Sequence, residues 1–172
     1  TRGQEKVESD PTFPKGQDKL GSDPNSPRRK AYVRPIDFRN GRVDMTHGSG
    51  GRAMAQLIDE LFAAAFDNEW LRQGNDGARV NPPPGRLVVA TDCHVITPLF
   101  FPGGDIGALS VHGTINDVAV MGATPLWLAA GFVLEEGFPL ADLRRIVHSM
   151  AEAARAAGVP IVTGDTKVVE KG

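Results

Sequence analysis

The chain has 172 residues, a formal net charge of -2, 41% hydrophobic and 23% charged residues, a length and balance that permit one domain with a packed core. Near-neutrality removes any general electrostatic case for nucleic acid or an anionic membrane as partner, and no apolar run approaches the roughly 20 residues of a membrane span. Cys93 is the only cysteine, which excludes an intrachain disulfide and makes a reducing cytoplasm the expected location.

From Thr1 to about Asn40 the chain is rich in Pro, Asp, Lys and Ser, with few large apolar side chains. Such a segment buries too little surface to offset its ordering entropy. Residues 1–44 are therefore expected to be a disordered extension or a partner-binding tail, ahead of a domain over 45–172. Arg28-Arg29-Lys30 leads into no apolar stretch, so no signal peptide is expected. The chain opens on Thr1 and closes just after a new apolar run, Val168-Val169; both ends read as cut.

Thr46-His47-Gly48-Ser49-Gly50-Gly51 is a glycine-rich turn that opens onto Met54, Leu57, Ile58, Leu61, Phe62 and Phe66. That spacing predicts an amphipathic helix of about four turns. Glycines ahead of a helix expose backbone N–H groups that can hold phosphate; a flexible linker with a helix cap reads equally well, and His47 as a surface or core residue. Asp67 to Gly85 is a loop, Arg86 to Thr91 a buried strand. Ile106 to Met121 is a helix with Ile106, Leu109, Ile115, Val118 and Ala119 inward. Gly113 in its middle costs about 1 kcal/mol relative to Ala and marks a close approach of backbone or ligand. Leu126 to Leu134 is a strand. Pro139 starts a second helix with a Leu143, Ile146, Val147, Met150, Ala154 stripe, and Gly158 ends it. Val159 to Val162 is a strand that delivers Gly164-Asp165-Thr166-Lys167.

Three acids stand beside apolar runs and glycine turns: Asp92, Asp117 and Asp165. A carboxylate in apolar surroundings costs several kcal/mol unless it is paired or bound to a cation. Singly, each acid also fits a cap, a turn or an interior hydrogen bond. Together they describe a magnesium–phosphate site, since magnesium takes a few carboxylates plus substrate phosphates. Lys167 is a candidate cation for a phosphate or a reacting oxygen, and Asn116 for a ribose, phosphate or ligand water; both also suit solvent-facing or helix contacts. Cys93 reads as a small packing residue. There is no P-loop, no dinucleotide fingerprint and no zinc spacing among His47, His94, His112 and His148.

His47-Gly48-Ser49-Gly50-Gly51, Thr91-Asp92, Pro98 to Gly104, Gly113 to Ala123 and Gly164-Asp165-Thr166-Lys167-Val168-Val169 closely resemble, in order and spacing, the N-terminal half of the HypE family. These are the carbamoyl dehydratases of NiFe-hydrogenase maturation, within the PurM-like superfamily of aminoimidazole ribonucleotide synthetase. The resemblance implies an α/β (α+β) fold: a mixed sheet covered by helices and dimerising through the sheet, where alternation of elements alone suggests a parallel one. It implies ATP and Mg2+ as cofactors, Asp92, Asp117 and Asp165 as the metal acids, and His47, Gly48, Gly50, Gly51, Asn116, Asp165 and Thr166 around the nucleotide. Lys167 and Asp117 are the catalytic residues it implies. The implied reaction phosphorylates the oxygen of a cysteine-bound carbamoyl group; phosphate leaves and a thiocyanate remains, the cyanide source for the hydrogenase iron.

The implied partners are a second copy of the chain, the carbamoyltransferase HypF and the HypC–HypD complex. Cys93 does not match the family's C-terminal acceptor cysteine, which is absent here, so this stretch is expected to bind Mg-ATP weakly and not to turn over alone. Two other readings stand beside it. One is another PurM-like synthetase or kinase; the other is a non-catalytic dimerising module.

Overall fold

The structure is a computed structural model that describes residues 34–172; most of the expected extension lies outside the described residues. In chain order a 3-10 turn (Met45–Gly48) precedes helix α1 (Arg52–Leu57), a π segment (Ile58–Ala63) and α2 (Ala64–Phe66). A second 3-10 turn (Leu71–Gln73) follows, then the short strands β1 (Phe100–Phe101) and β2 (Gly104–Asp105). The remainder is α3 (Ile106–Val120), β3 (Leu128–Glu135), α4 (Leu140–Ala157) and β4 (Ile161–Val169).

The centre is a β–α–β unit. β3 and β4 pair in parallel, Gly131 opposite Asp165 and Val133 opposite Lys167, and parallel neighbours need a crossover between them. α4 is that crossover. It begins after Pro139, whose fixed φ of -63 suits a helix start, and stops at Gly158 with φ 69, a left-handed value that favours glycine. Its expected stripe is buried: Leu143, Ile146, Val147, Met150 and Ala154. On the strands, Leu128, Ala130, Phe132, Leu134 and Val168 join the same clusters, so one sheet face is covered. The opposite face carries exposed Ala129, Gly131, Val133, Asp165 and Lys167.

α3 crosses α4 closely. Asp105 caps it, its Oδ1 accepting from the Gly107 and Ala108 N–H groups at 2.8 and 3.1 Å. Gly107 lies on the Ile146 carbonyl, where a Cβ would overlap that oxygen. The β1–β2 hairpin ahead of α3 is antiparallel and is held by the Arg145 guanidinium, 4.0 Å from the Phe100 ring centre. Asn68 fastens the end of α2 to β4: its amide donates to the carbonyls of Phe66 and Ile161, and its oxygen accepts from the Trp70 and Leu71 N–H groups.

Four expectations need correction. The compact unit starts at Pro35, ahead of the boundary at 45, because Ile36, Phe38 and Val43 pack into the core. Val43 exchanges backbone hydrogen bonds with Phe138 and Gly137 at 2.8 and 2.7 Å. Sparse apolar residues in a polar stretch suffice when backbone pairing fixes them. The helix from Arg52 exists but contains a π segment, which rotates Ile58 to 39% exposure while Leu57, Leu61 and Phe62 stay buried. Arg86 to Thr91 is not a strand: it has no backbone neighbour among the described residues, and Val89 is 90% exposed. It faces Leu126 to Ala129 across an open groove of about 1070 Å³. The expected α/β class is present, but its parallel and antiparallel pairings occupy two separate two-stranded sheets rather than one mixed sheet.

Gly107→Ala should therefore destabilise the domain by about 1–3 kcal/mol through overpacking, although alanine is the better helix former by about 1 kcal/mol. Urea unfolding of the two proteins measures this; equal midpoints would contradict the close crossing.

Candidate functional site

The glycine-rich turn and the Gly-Asp-Thr-Lys segment meet. Asp44 caps the 3-10 turn, accepting from the Thr46 N–H at 2.8 Å and from the Thr46 hydroxyl. His47 Nδ1 accepts from the Asp44 N–H at 3.1 Å and lies at the same distance from Asp44 Oδ1. The Thr46 hydroxyl first, and the Thr46 N–H with it, hold the Asp44 carboxyl below its ordinary 3.8. Gly48 sits directly on β4: a Cβ there would be 2.6 Å from the Val168 nitrogen. Beyond it, Gly50 takes φ 75 and Gly51 caps α1 without a side chain. The first amides of α1 therefore have no side-chain cap, and the Gly50 N–H ahead of them donates to Met54 Sδ at 3.2 Å.

On β4 the alternation of a strand separates the motif. Asp165 and Lys167 project from the open face, where their partners across the sheet are Gly131 and Val133; Gly131 adds no side chain beside the carboxylate. The Lys167 ammonium lies 3.0 and 2.9 Å from the two Asp165 oxygens, and the Thr166 N–H donates to Oδ1 at 2.8 Å. The lysine first, then that backbone donor, lowers the Asp165 pKa below 3.8. Thr166 itself is 5% exposed on the covered face. Its side chain is therefore packed on the face opposite Asp165, and its N–H is the part that reaches that carboxylate.

Asp92 forms a second cluster, against α3. Its Oδ1 accepts from the Cys93 N–H at 2.7 Å and its Oδ2 lies 3.2 Å from His94 Nε2. Gly113 receives this pair: a Cβ there would be 2.7 Å from His94 Nε2 and 3.5 Å from Asp92 Oδ2. Asn116 and Asp117 lie exposed one turn further along α3. Cys93 is exposed, not packed. His94 was not among the residues singled out by pattern; its Asp-x-His spacing carried no distinctive signal.

The three aspartates are exposed rather than set in apolar surroundings, so desolvation does not demand a cation. Asp92 and Asp165 are each engaged by neighbours. Among the described residues no group of three or more His, Cys, Asp or Glu is gathered to hold a metal ion. A preassembled three-acid magnesium centre within one chain is therefore not what these residues form.

Residues 74–172 match the family model described as AIR synthase related protein, N-terminal domain. That is more than half of the chain, and the chain belongs to this family. Within it, the likeness is to carbamoyl dehydratases: the chain is 75% identical over 142 residues to carbamoyl dehydratase HypE of Cupriavidus necator, covering 82% of this chain and 40% of the relative. A solved structure of hydrogenase maturation protein HypE in complex with ATP superimposes with a TM-score of 0.73 at 55% identity, over 74% of this chain and 38% of that one. A HypE–HypF complex matches with a TM-score of 0.50 at 59% identity, over 67% of this chain and 37% of that one. The resemblance read from the motifs is borne out, and the chain spans about 40% of the length of the curated relatives it matches. No helix among the described residues is long and apolar enough to cross a membrane.

The pH response of Asp165 follows from its lysine. A carboxylate with a depressed folded pKa stabilises the fold above its unfolded value and loses that contribution as pH falls through the depressed one. Lys167→Met should raise the Asp165 pKa toward 3.8, read from the side-chain carboxyl carbon in an NMR titration; an unmoved midpoint would contradict the ion pair.

Proposed function

We propose that this chain is the ATP-binding part of a HypE-type carbamoyl dehydratase. The observation that carries the reading is the 55% identity and 0.73 TM-score to a HypE structure holding ATP. It is supported locally by a glycine-rich turn seated on the strand that presents Asp165 and Lys167. In this reading the amides of Gly48, Gly50 and Gly51 approach the phosphates, with His47 fixed beneath them by Asp44. Asn116 and Asp117 approach the nucleotide from α3. Mg2+ is the ion expected to accompany ATP, with Asp92, Asp117 and Asp165 as the candidate carboxylates.

The reaction is loss of water from a cysteine-bound carbamoyl group. The carboxamide oxygen takes the terminal phosphoryl group of ATP, departs as phosphate, and two N–H protons are released as the C–N bond becomes triple. Lys167 is the chain's own candidate for the charge that develops on the oxygen, since its ammonium is exposed and held by a single exposed partner. Both partners are exposed, so solvent screens the pair and little holds the lysine to Asp165.

The open sheet face, with Val133 74% exposed and Val169 42%, supports a homodimer that closes over it. HypF is the proposed donor partner, by likeness to a chain solved as a HypE–HypF complex; the HypC–HypD complex is the proposed recipient, and the cytoplasm the proposed location.

Calorimetric ATP titration and a dehydration assay on the full-length protein test this. Asp117→Asn should weaken ATP at least about tenfold, the scale of one hydrogen bond to a charged group. Lys167→Met should leave ATP affinity nearly intact and lower turnover at least about a hundredfold. Unchanged ATP binding in Asp117→Asn would favour a non-catalytic dimerising module.

A further inference from the structure

Gly113 poses a specific question. It stands in the middle of α3, where glycine costs about 1 kcal/mol relative to alanine, and its backbone is ordinary helix, without the positive φ found at the turn glycines. Conformation does not require it. Space does: the His94 imidazole fills the notch left by the missing Cβ, with Nε2 2.7 Å from where that atom would be. The His94 side chain is 14% exposed, and the carboxylate it meets at 3.2 Å, Asp92 Oδ2, is 38% exposed. The contact is a close polar approach of ring to carboxylate, in which the carboxylate can only accept.

We infer that His94 is a positioning residue for Asp92: seated in the Gly113 notch, it aims the carboxylate at the turn of α3 that bears Asn116 and Asp117. The inference rests on the ATP-site reading above and adds to it two residues, His94 and Gly113, that touch neither phosphate nor reacting atoms. The reason for two supports is visible in the chain around them. Asp92 lies between Arg86–Thr91, which has no strand partner, and Val95, which is 95% exposed. The local backbone therefore does not hold the carboxylate in place. Cys93 N–H fixes one oxygen from the adjacent residue; only the imidazole ties the other to a rigid element. Groups that orient such an acid are commonly worth about 10–100-fold in affinity or activity when removed, and this half-open site belongs at the lower end.

The test uses the full chain in Mg2+ buffer, with ATP affinity by calorimetry and, without nucleotide, the melting temperature. His94→Leu should weaken ATP about tenfold. His94→Gln, whose amide can donate to the same oxygen, should recover most of that loss, which a purely space-filling histidine would not permit. Gly113→Ala should lower the melting temperature and weaken ATP by evicting the ring. In a His94→Ala background Gly113→Ala should do neither, because the notch is then empty and alanine favours the helix. If Asp92→Asn weakens ATP while His94→Leu and Gly113→Ala do not, the positioning role is wrong and the ATP site stands. If Asp92→Asn leaves ATP affinity unchanged, the placement of Asp92 in that site fails, and this inference with it.

Discussion

The parallel pairing of Leu128–Glu135 with Ile161–Val169, closed by one amphipathic helix, is the constraint on which the rest of the domain depends. A parallel pair requires its connection to cross over one face of the sheet. α4 does so, and its Leu143, Ile146, Val147 and Met150 commit Phe132, Leu134 and Thr166 to the interior. Strand alternation then leaves Asp165 and Lys167 no choice but the other face. The chemistry-bearing residues are outward because their neighbours are inward. α3 joins this core through Gly107, whose lack of a side chain lets it reach the backbone of α4, and through buried Val111, which packs with Met150, Ala153 and Ala154.

Three of the acids share one pattern, a partner close by in sequence. Asp44 has Thr46 and His47, Asp92 has Cys93 and His94, and Asp165 has Thr166 and Lys167. Such short-range pairs form at little entropic expense and are weak where solvent reaches them. They neutralise the acids without committing them. A charged ligand that brings its own cation has only exposed, low-energy contacts to displace, and this suits residues that exchange partners when a nucleotide arrives.

α4 was legible in the sequence because its apolar positions keep a 3.6-residue period and its ends carry Pro139 and Gly158; α3 was legible in extent, but its buried residues are Gly107 and Val111 rather than the expected stripe, and Ala119 is exposed. The glycine turn was legible for the same local reason. Gly113 was readable as a close approach, but not what approached, because the contact joins residues 94 and 113 through the fold. Arg86–Thr91 shows the limit of reading hydrophobicity as burial: Val88 and Val89 have the composition of a core strand, but among the described residues no strand pairs with them. The opposite facing of Thr166 and its motif neighbours Asp165 and Lys167 was not legible from the motif's letters, since adjacent residues in a strand face opposite ways. The three aspartates were read as set in apolar surroundings from their neighbours in sequence, and all three are exposed: Asp165 by strand alternation, Asp117 on the outer side of α3, and Asp92 in a stretch that forms no strand.

The central claim is that ATP binds where the glycine turn meets β4, on the uncovered side of the sheet and at the nearby end of α3. Amide chemical-shift mapping of the labelled chain during an ATP titration in Mg2+ addresses it most directly. The account predicts saturable shifts concentrated at Gly48, Gly50, Gly51, Asp165, Lys167 and Asn116, with α4 residues such as Glu152 and Arg155 unmoved. Shifts centred on α4, or none that saturate, would contradict it.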